Sequence, residues 1–395
     1  MFQLSNQDQK QMVEFLCGLV RTPSFSCQEG AVAERIADQM RTVGFRDVAQ
    51  DRIGNVVGRI GNGGGPVLLL DGHMDTVGVS DRSAWKHDPF GAAIENGVLH
   101  GLGACDMKGA LAAMIYAGKL LIENHVPLKG GLIVACVVQE EPCEGLAVRV
   151  LIEEEGIRPN WVVLGEPSSM TVARGQRGRV ELEVTAHGRA CHASQPDLGD
   201  NAVYSAARLI FGIEILAGNL SNDRFLGPGS LAVTQIQSEA GSRNVIPDRC
   251  SFVVDRRLTL GESEAKALAE VQAVIAREQV RADVRVLEYR STSFTGYQAV
   301  QRATFPAWIT DENHLLVQAM ERAVREELSV RPKMSQFPFS TDGAYTAGVA
   351  GIPTVGLGPG DEKLAHTADD QVRLDDVFGA ARVYAALAAA LLSNK

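Results

Sequence analysis

The chain has 395 residues, of which 45% are hydrophobic and 22% charged, and a formal net charge of −10 at pH 7. This length exceeds what a single hydrophobic core usually organises, so we expect two domains. The negative charge disfavours a nucleic-acid partner, which would require a basic surface. Because no apolar run approaches the ~18 residues of a membrane span, no membrane partner is expected either.

Seven cysteines stand singly in the sequence, and no Cys-X-X-Cys pair occurs among them. Such spacing is typical of a reducing compartment and predicts no disulfide framework. Residues 1–8 lack the basic and apolar regions of a signal peptide. We therefore expect a cytoplasmic protein.

The first part of the chain alternates predicted helices and strands. Residues 67–70 are apolar without interruption and follow a glycine-rich loop, which suits a strand buried on both faces. The alternation is typical of a mainly parallel sheet with helices on both faces, an α/β fold. The predicted helices cover residues 7–20, 28–43, 107–124 and 145–155, and the predicted strands cover 48–52, 55–60, 67–70, 132–138 and 161–164.

The composition changes after a Gly/Arg-rich connector at 174–179. The next elements follow the order β-α-β-β-α-β, which is that of a ferredoxin-like unit, and residues 289–298 predict the connector back. We therefore predict a catalytic domain in two segments, 1–176 and 293–395, with a ferredoxin-like domain inserted at 177–292. The predicted strands are 180–186, 230–237, 250–258, 282–287 and 354–357, and the helices are 201–217, 262–279, 313–328 and 374–392.

A histidine and an aspartate follow the strand at 67–70. His73 and Asp75 are two residues apart, so their side chains would point the same way in extended backbone. An imidazole whose other ring nitrogen is held by a carboxylate suits a metal ligand. Ligands bind at this end of the strands in open α/β sheets. A lone histidine at a strand end is more often a polar cap, so both interpretations stay open for this pair.

Asp106 directly precedes the predicted helix at 107–124. It is either the N-cap of that helix or a carboxylate that bridges two cations. Glu140 and Glu141 follow the strand at 132–138. They either form a solvated turn or serve as a base and a metal ligand. The two side chains diverge because the following proline disfavours helical backbone at Glu141.

Glu166 and His366 follow two further predicted core strands. Together with the groups above, they can converge on one edge of the sheet. Nitrogen and oxygen ligands without thiolate suit zinc, and cobalt and manganese accept the same ligands. Two cations about 3.5–4 Å apart that share a carboxylate are a known hydrolytic arrangement. The sequence therefore predicts two divalent metal ions.

Five short motifs occur in a fixed order along the chain: Gly72-His73-Met74-Asp75-Thr76-Val77, Cys105-Asp106-Met107-Lys108-Gly109, Glu140-Glu141, Gly165-Glu166-Pro167 and Ala365-His366-Thr367. They resemble the motifs of the M20 metallopeptidase family, which includes acetylornithine deacetylase, succinyl-diaminopimelate desuccinylase and glutamate carboxypeptidase. The resemblance covers nearly the whole chain. It implies a dinuclear zinc centre, with Asp75 as the partner of His73 and Glu140 as the general base that activates a water between the metals. The implied ligands are His73, Asp106 and Glu166 for one zinc and Asp106, Glu141 and His366 for the other.

The predicted inserted domain carries further resembling segments. His192, in Gly-Arg-Ala-Cys-His-Ala-Ser, resembles the family histidine that reaches the active site of the partner subunit. Asn244 and Arg257 resemble the family's substrate-binding residues. Without the resemblance, His192 reads as a surface turn residue and Arg257 as a salt-bridged strand residue. The resemblance thus implies a homodimer formed through the inserted domain.

The resemblance implies hydrolysis of the amide bond of an N-acyl amino acid, of the deacetylase or desuccinylase type. The alternative is a dipeptidase or carboxypeptidase with the same centre, acting on a short peptide. Leu102 and Asp370 depart from the family pattern, where arginine and glutamate are usual, so the substrate stays open. A zinc-binding protein without catalysis is disfavoured because the base Glu140 is present. A phosphate-ester hydrolase is disfavoured because few basic residues could contact a phosphate.

Overall fold

The computed structural model describes residues 1–61 and 63–393; Asn62 and the last two residues of the predicted segment 293–395 lie outside these ranges. The helices are α1 Asn6–Val20, α2 Gly30–Val43, α3 Gly109–Glu123, α4 Leu146–Arg149, α5 Ala202–Ala217, α6 Glu264–Glu278, α7 Leu315–Leu328, α8 Gly343–Thr346 and α9 Leu374–Leu392. The strands are β1 Arg46–Gln50, β2 Val56–Gly61, β3 Val67–His73, β4 Ala93–Glu95, β5 Val98–His100, β6 Gly131–Val137, β7 Trp161–Leu164, β8 Val172–Gln176, β9 Gly178–His187, β10 Asn222–Asp223, β11 Gly227–Pro228, β12 Ser230–Glu239, β13 Arg249–Leu258, β14 Ala282–Val286, β15 Glu288–Thr292, β16 Gln298–Arg302, β17 Thr304–Phe305, β18 Trp308–Ile309, β19 Met334–Phe337, β20 Thr354–Gly356 and β21 Gln371–Arg373.

The larger sheet follows the order β1-β2-β6-β3-β7-β20-β8-β18, with β19 paired to β8. Its central strands β6, β3, β7 and β20 are parallel to one another. Every residue of β6 is buried, as expected for a strand covered on both faces. The buried α3 packs against α9, α1 and α2. The prediction of a mainly parallel sheet with helices on both faces is confirmed.

The second sheet follows the order β12-β13-β9-β14, and all its pairs are antiparallel. Buried and partly exposed residues alternate along β13, which is the pattern of a sheet covered on one face. The helices α5 and α6 pack against this sheet and against each other. Their apolar side chains form a cluster separate from the main core. The ferredoxin-like fold is confirmed, while its boundaries at 177 and 292 stay a prediction.

Several regions differ from the elements expected from the sequence, among them β19, which pairs with β8. Residues 289–298, expected as a connector, form most of β15, the turn that follows it and the first residue of β16. Much of the Gly/Arg-rich connector at 174–179 belongs to β8 and β9, and β8 joins the larger sheet. The strands β4, β5 and β21 form a small sheet that was not expected. Each of these strands is three residues long, which is too short to show an apolar period, and β21 is remote in sequence from its partner β5.

In the described ranges, no helix combines the length and the apolar character needed to cross a bilayer.

Candidate metal centre

The side chains of the centre lie where the central parallel strands end. β3 pairs with β6 so that His73 lies opposite Val137, and it pairs with β7 so that Asp71 lies opposite Leu164. Glu140 lies shortly after the end of β6, and Glu166 lies shortly after the end of β7. Gly72 separates the two polar residues of β3, and a Cβ atom there would overlap the side chain of Met107. The strand register therefore brings acids from two strands to the imidazole of a third.

Asp106 lies between the two histidines. Its Oδ1 is 2.9 Å from Nε2 of His73, and its Oδ2 is 3.4 Å from Nε2 of His366. The N-cap interpretation is wrong, because α3 begins at Gly109 and Asp106 has an extended conformation with φ −122° and ψ 95°. The carboxylate is therefore free to present one oxygen to each imidazole, which is the arrangement of a bridging ligand.

Glu141 and His366 complete one side of the centre. Nε2 of His366 lies 2.9 Å from a carboxylate oxygen of Glu141. On the other side, Oε1 of Glu166 lies 4.0 Å from Nε2 of His73. Two three-ligand groups have donor atoms within 4.8 Å of one another: His73, Asp106 and Glu141, and His73, Glu140 and Glu166.

The electrostatics of the cluster match a site for cations. Burial, together with Glu166, raises the pKa of Glu140 well above its ordinary value, and burial does the same for Glu166. Burial opposes the charge on His73, but Asp106 and Glu166 raise the pKa of this imidazole. Hydrogen bonds to Asp106 and Glu141 raise the pKa of His366 to about 10. Carboxylates crowded in a buried site beside imidazoles form a donor set that fits divalent cations.

The predicted partner role of Asp75 has a different geometry from the one expected. Nδ1 of His73 lies 2.9 Å from the backbone carbonyl oxygen of Asp75 and 3.7 Å from its carboxylate. The buried carboxylate accepts hydrogen bonds from the backbone N–H groups of Glu140 and Glu141 and from the hydroxyl of Ser26. Asp75 thus fixes the loop that carries both glutamates, while its backbone orients the imidazole.

Asp370 supports the bridging carboxylate. Its side chain accepts hydrogen bonds from the backbone N–H groups of Gly103 at 2.6 Å and Cys105 at 2.8 Å. Because burial is the dominant influence, the pKa of Asp370 is raised to about 8. These contacts hold the irregular turn that presents Asp106.

Two supporting groups were missed by the sequence reasoning. The buried Glu29 accepts hydrogen bonds from the N–H groups of Cys27 and Gln139, the latter directly before Glu140. Glu144 lies 3.2 Å from the guanidinium of Arg179, on the first strand of the second sheet. Neither position lies in a motif, so only its contacts could identify it.

His192, Asn244 and Arg257 all lie in the predicted inserted domain. His192 and Asn244 are exposed, and their segments pair through a hydrogen bond from Ala193 N to Asn244 O. Arg257 forms an ion pair of 2.7 Å with Asp255. In the described residues, these three side chains have no hydrogen bond or ion pair with the metal cluster. The fold brings His192 and Asn244 together, but it does not bring them into contact with the metal ligands of the same chain.

The cysteines near the centre do not belong to the ligand groups. Burial raises the pKa of the Cys105 and Cys143 thiols far above the ordinary value, which favours the protonated form. The thiol of Cys105 donates to the backbone carbonyl of Asp361. A thiolate ligand is therefore disfavoured at this site.

The chain is similar to several known proteins. A model described as Peptidase family M20/M25/M40 matches residues 69–390. The uncharacterized protein YgeY of Escherichia coli K12 is 37% identical over 388 residues, which cover 98% of this chain and 96% of that protein. The succinyl-diaminopimelate desuccinylase of Thioalkalivibrio sulfidiphilus is 28% identical, with 95% of this chain and 97% of that protein covered. The structure of the M20 family metallo-carboxypeptidase Sso-CP2 from Sulfolobus solfataricus shares the fold, with a TM-score of 0.76, 17% identity and coverage of 98% and 99%.

Proposed function

Because the chain belongs to the M20/M25/M40 peptidase family and is therefore an enzyme of the metallopeptidase and amidohydrolase class, we propose that it hydrolyses the amide bond of an N-acyl amino acid. The observation that carries this proposal is the placement of Asp106 between His73 and His366, with Glu140 beside His73. The alternative is a dipeptidase or carboxypeptidase that uses the same centre. Both activities need the same hydrolytic groups and differ in the substrate.

We propose that two divalent cations, preferably Zn²⁺, bind here, with His73, Asp106 and Glu166 on one and Asp106, Glu141 and His366 on the other. Such cations polarise a carbonyl oxygen and lower the pKa of a water toward about 7. The chain supplies the proton transfers: Glu140 accepts a proton from the attacking water and passes it to the leaving amine. The raised pKa of Glu140 suits a group that must both take up and release a proton.

A substrate screen tests the choice between the two activities. The chelator-treated enzyme is reconstituted with Zn²⁺, Co²⁺ or Mn²⁺ and assayed on N-acetyl and N-succinyl amino acids and on dipeptides. We expect the highest kcat/KM on an N-acyl amino acid. Faster cleavage of dipeptides would favour the alternative, and no hydrolysis of either class would contradict both.

We also propose a homodimer formed through the inserted domain. Tyr204, Phe211 and Ile215 are each more than 60% exposed and lie on one side of α5. β12 is an edge strand of the second sheet and is exposed along most of its length. An apolar helix face beside an unpaired strand edge fits a two-fold contact between copies of the chain. In such a dimer, His192 would reach the metal centre of the partner.

The association is tested by sedimentation of the wild type and of Phe211→Asp. We expect the variant to sediment as a monomer, because the contact would bury a charge. Lys10→Asp, on an exposed part of α1, is the control. A wild type that sediments as a monomer would contradict the dimer.

We further propose a cytoplasmic location. All seven cysteines are free thiols, and several are buried. Free thiols persist in a reducing compartment. Fractionation of cells that express the tagged full chain tests this location.

A further inference from the structure

A second group of possible cation ligands lies outside the centre described above. It consists of His87, Glu95 and His100, whose donor atoms all lie within 4.8 Å of one another. Glu95 ends β4, and His100 ends the neighbouring strand β5. In the register of this hairpin Ala93 lies opposite His100, so Glu95 and His100 project from the same face. His87 joins them from the preceding loop.

The two imidazoles are stacked beside the carboxylate. The ring centroids of His87 and His100 are 4.5 Å apart, with 33° between the ring planes. Nε2 of His87 lies 3.7 Å from Oε2 of Glu95. Around a tetrahedral zinc ion, neighbouring donor atoms are about 3.3 Å apart. The half-exposed glutamate needs only a small movement to reach that spacing.

One donor atom in this group is buried without a hydrogen bond. Nε2 of His87 is buried and has no hydrogen-bond partner in the described part of the chain. A buried polar atom of this kind costs free energy unless something satisfies it. A cation between the rings would satisfy the nitrogen of His87.

We propose that His87, Glu95 and His100 form a third divalent-cation site, separate from the centre at His73 and His366. Two imidazoles and one carboxylate select zinc-like ions over calcium or magnesium, which prefer oxygen ligands. A cavity of about 220 Å³, lined partly by His87, His100 and Gln371, adjoins the group. It leaves room for a water as a fourth ligand.

The site is connected to the turn that carries Asp106. β5 pairs with β21 so that His100 lies opposite Gln371. The preceding residue, Asp370, accepts a hydrogen bond from Gly101 N and holds the turn through Gly103 N. A cation that crosslinks His87, Glu95 and His100 would therefore stabilise the strand pairing next to this turn.

The proposal is tested by counting bound zinc in the full-length protein. The chelator-treated chain is saturated with Zn²⁺, freed of excess ion by gel filtration and measured by elemental analysis. We expect wild type to retain one Zn²⁺ per chain more than Glu95→Gln and than His100→Ala. Glu123→Gln is the matched control, because Glu123 is about as exposed as Glu95 and also pairs with a lysine. Equal zinc content in wild type and Glu95→Gln, or equal loss in Glu123→Gln, would overturn the site.

A second measurement separates this site from the catalytic centre. In a His73→Ala, His366→Ala background, Co²⁺ is added and the visible absorption of a histidine-bound ion is followed. We expect the signal to persist there and to vanish when His100→Ala is added, with circular dichroism reporting that each variant is folded. Absence of any cobalt signal in the folded background would refute the proposal. Failure of the hydrolytic function leaves these readouts unchanged.

A substitution of Lys86 tests the site by an expected increase in Zn²⁺ affinity. Its ammonium lies 3.3 Å from Oε2 of Glu95 and competes with a cation for that carboxylate. We expect Lys86→Met to tighten Zn²⁺ binding about two- to five-fold, since exposed pairs contribute little. Weaker binding in this variant would contradict the ligand role of Glu95.

Discussion

In the larger sheet the polar groups are concentrated where the parallel strands end, whereas in the second sheet they alternate along the strands. The central strands β3 and β6 are buried almost throughout, and the acids that follow them are buried too. In β13, every second residue is buried and the others are partly exposed. A sheet covered on both faces can leave polar groups only at its ends, while a sheet covered on one face can use its whole outer surface.

This difference matches the division between catalysis and recognition that we propose. The buried strand ends hold carboxylates with shifted pKa values around two imidazoles, which suits proton transfer and cation binding. The loops that follow β9 and precede β13 carry the exposed His192 and Asn244, which suit contact with a substrate or with another copy of the chain. The buried ion pair of Arg179 and Glu144 links the two regions.

The prediction with the largest expected effect tests whether the catalytic base lies at the strand ends of the larger sheet. We expect Glu140→Gln to lower kcat about 10²–10⁴-fold, because amide oxygen and nitrogen cannot carry the proton. The zinc content should stay unchanged if Glu140 is a base and not an essential ligand. Steady-state kinetics and elemental analysis measure the two quantities. Near-normal turnover would contradict the assignment.

The next prediction concerns the link between the two regions. Arg179→Met leaves Glu144 buried without its counter-charge, so we expect a loss of about 3 kcal/mol in the free energy of unfolding at pH 8. Burial already raises the pKa of Glu144 to about 7. The loss should therefore shrink as the pH falls and Glu144 takes up a proton. Urea unfolding measures it, and Arg179→Met with Glu144→Gln, which should recover most of the loss, is the control.

A third prediction concerns pH. Burial, with Asp75, raises the pKa of Glu29 to about 7 from an ordinary value of 4.5. The folded state then holds the proton more tightly, so its contribution to stability is present below pH ~4.5 and is lost as the pH rises to ~7. Glu29→Gln keeps the amide contacts and removes this titration. The stability of wild type relative to the variant should fall by about 3 kcal/mol across this range in urea unfolding at matched metal load.

The prediction with the smallest expected effect tests whether the loop after β9 contributes to catalysis across a dimer. We propose that His192 is a catalytic residue that stabilises the oxyanion formed when water attacks the amide carbonyl. We therefore expect His192→Ala to lower kcat about 10²-fold, the usual loss of one oxyanion donor. Glu140→Gln and His192→Ala chains are then unfolded, mixed and refolded together. If His192 acts on the partner's centre, each mixed dimer regains one intact site and activity returns. No recovery in mixtures that form dimers would place His192 in its own chain's site.

Much of the fold follows from local pattern. The predicted helices and strands of the ferredoxin-like unit agree with α5, α6 and their four main strands, because one-sided burial leaves a clear apolar period in the sequence. The hairpin β15–β16 and the small sheet of β4, β5 and β21 carry no such period. The strands of that hairpin are rich in polar residues, and the small sheet includes the pairing of β5 with β21, which is remote in sequence and cannot be found from local pattern.

The sequence alone indicated which residues are chemically suited to the centre: histidines and acids that follow apolar strands, and an aspartate before a predicted helix. Only the tertiary structure decided how they are held. Asp75 binds the glutamate loop through its carboxylate, Asp106 lies before α3 instead of capping it, and Glu29 and Arg179 support the site from outside every motif. The physical reason is that residue type and local period are written in the chain, whereas hydrogen-bond partners depend on distances between segments that meet only after folding.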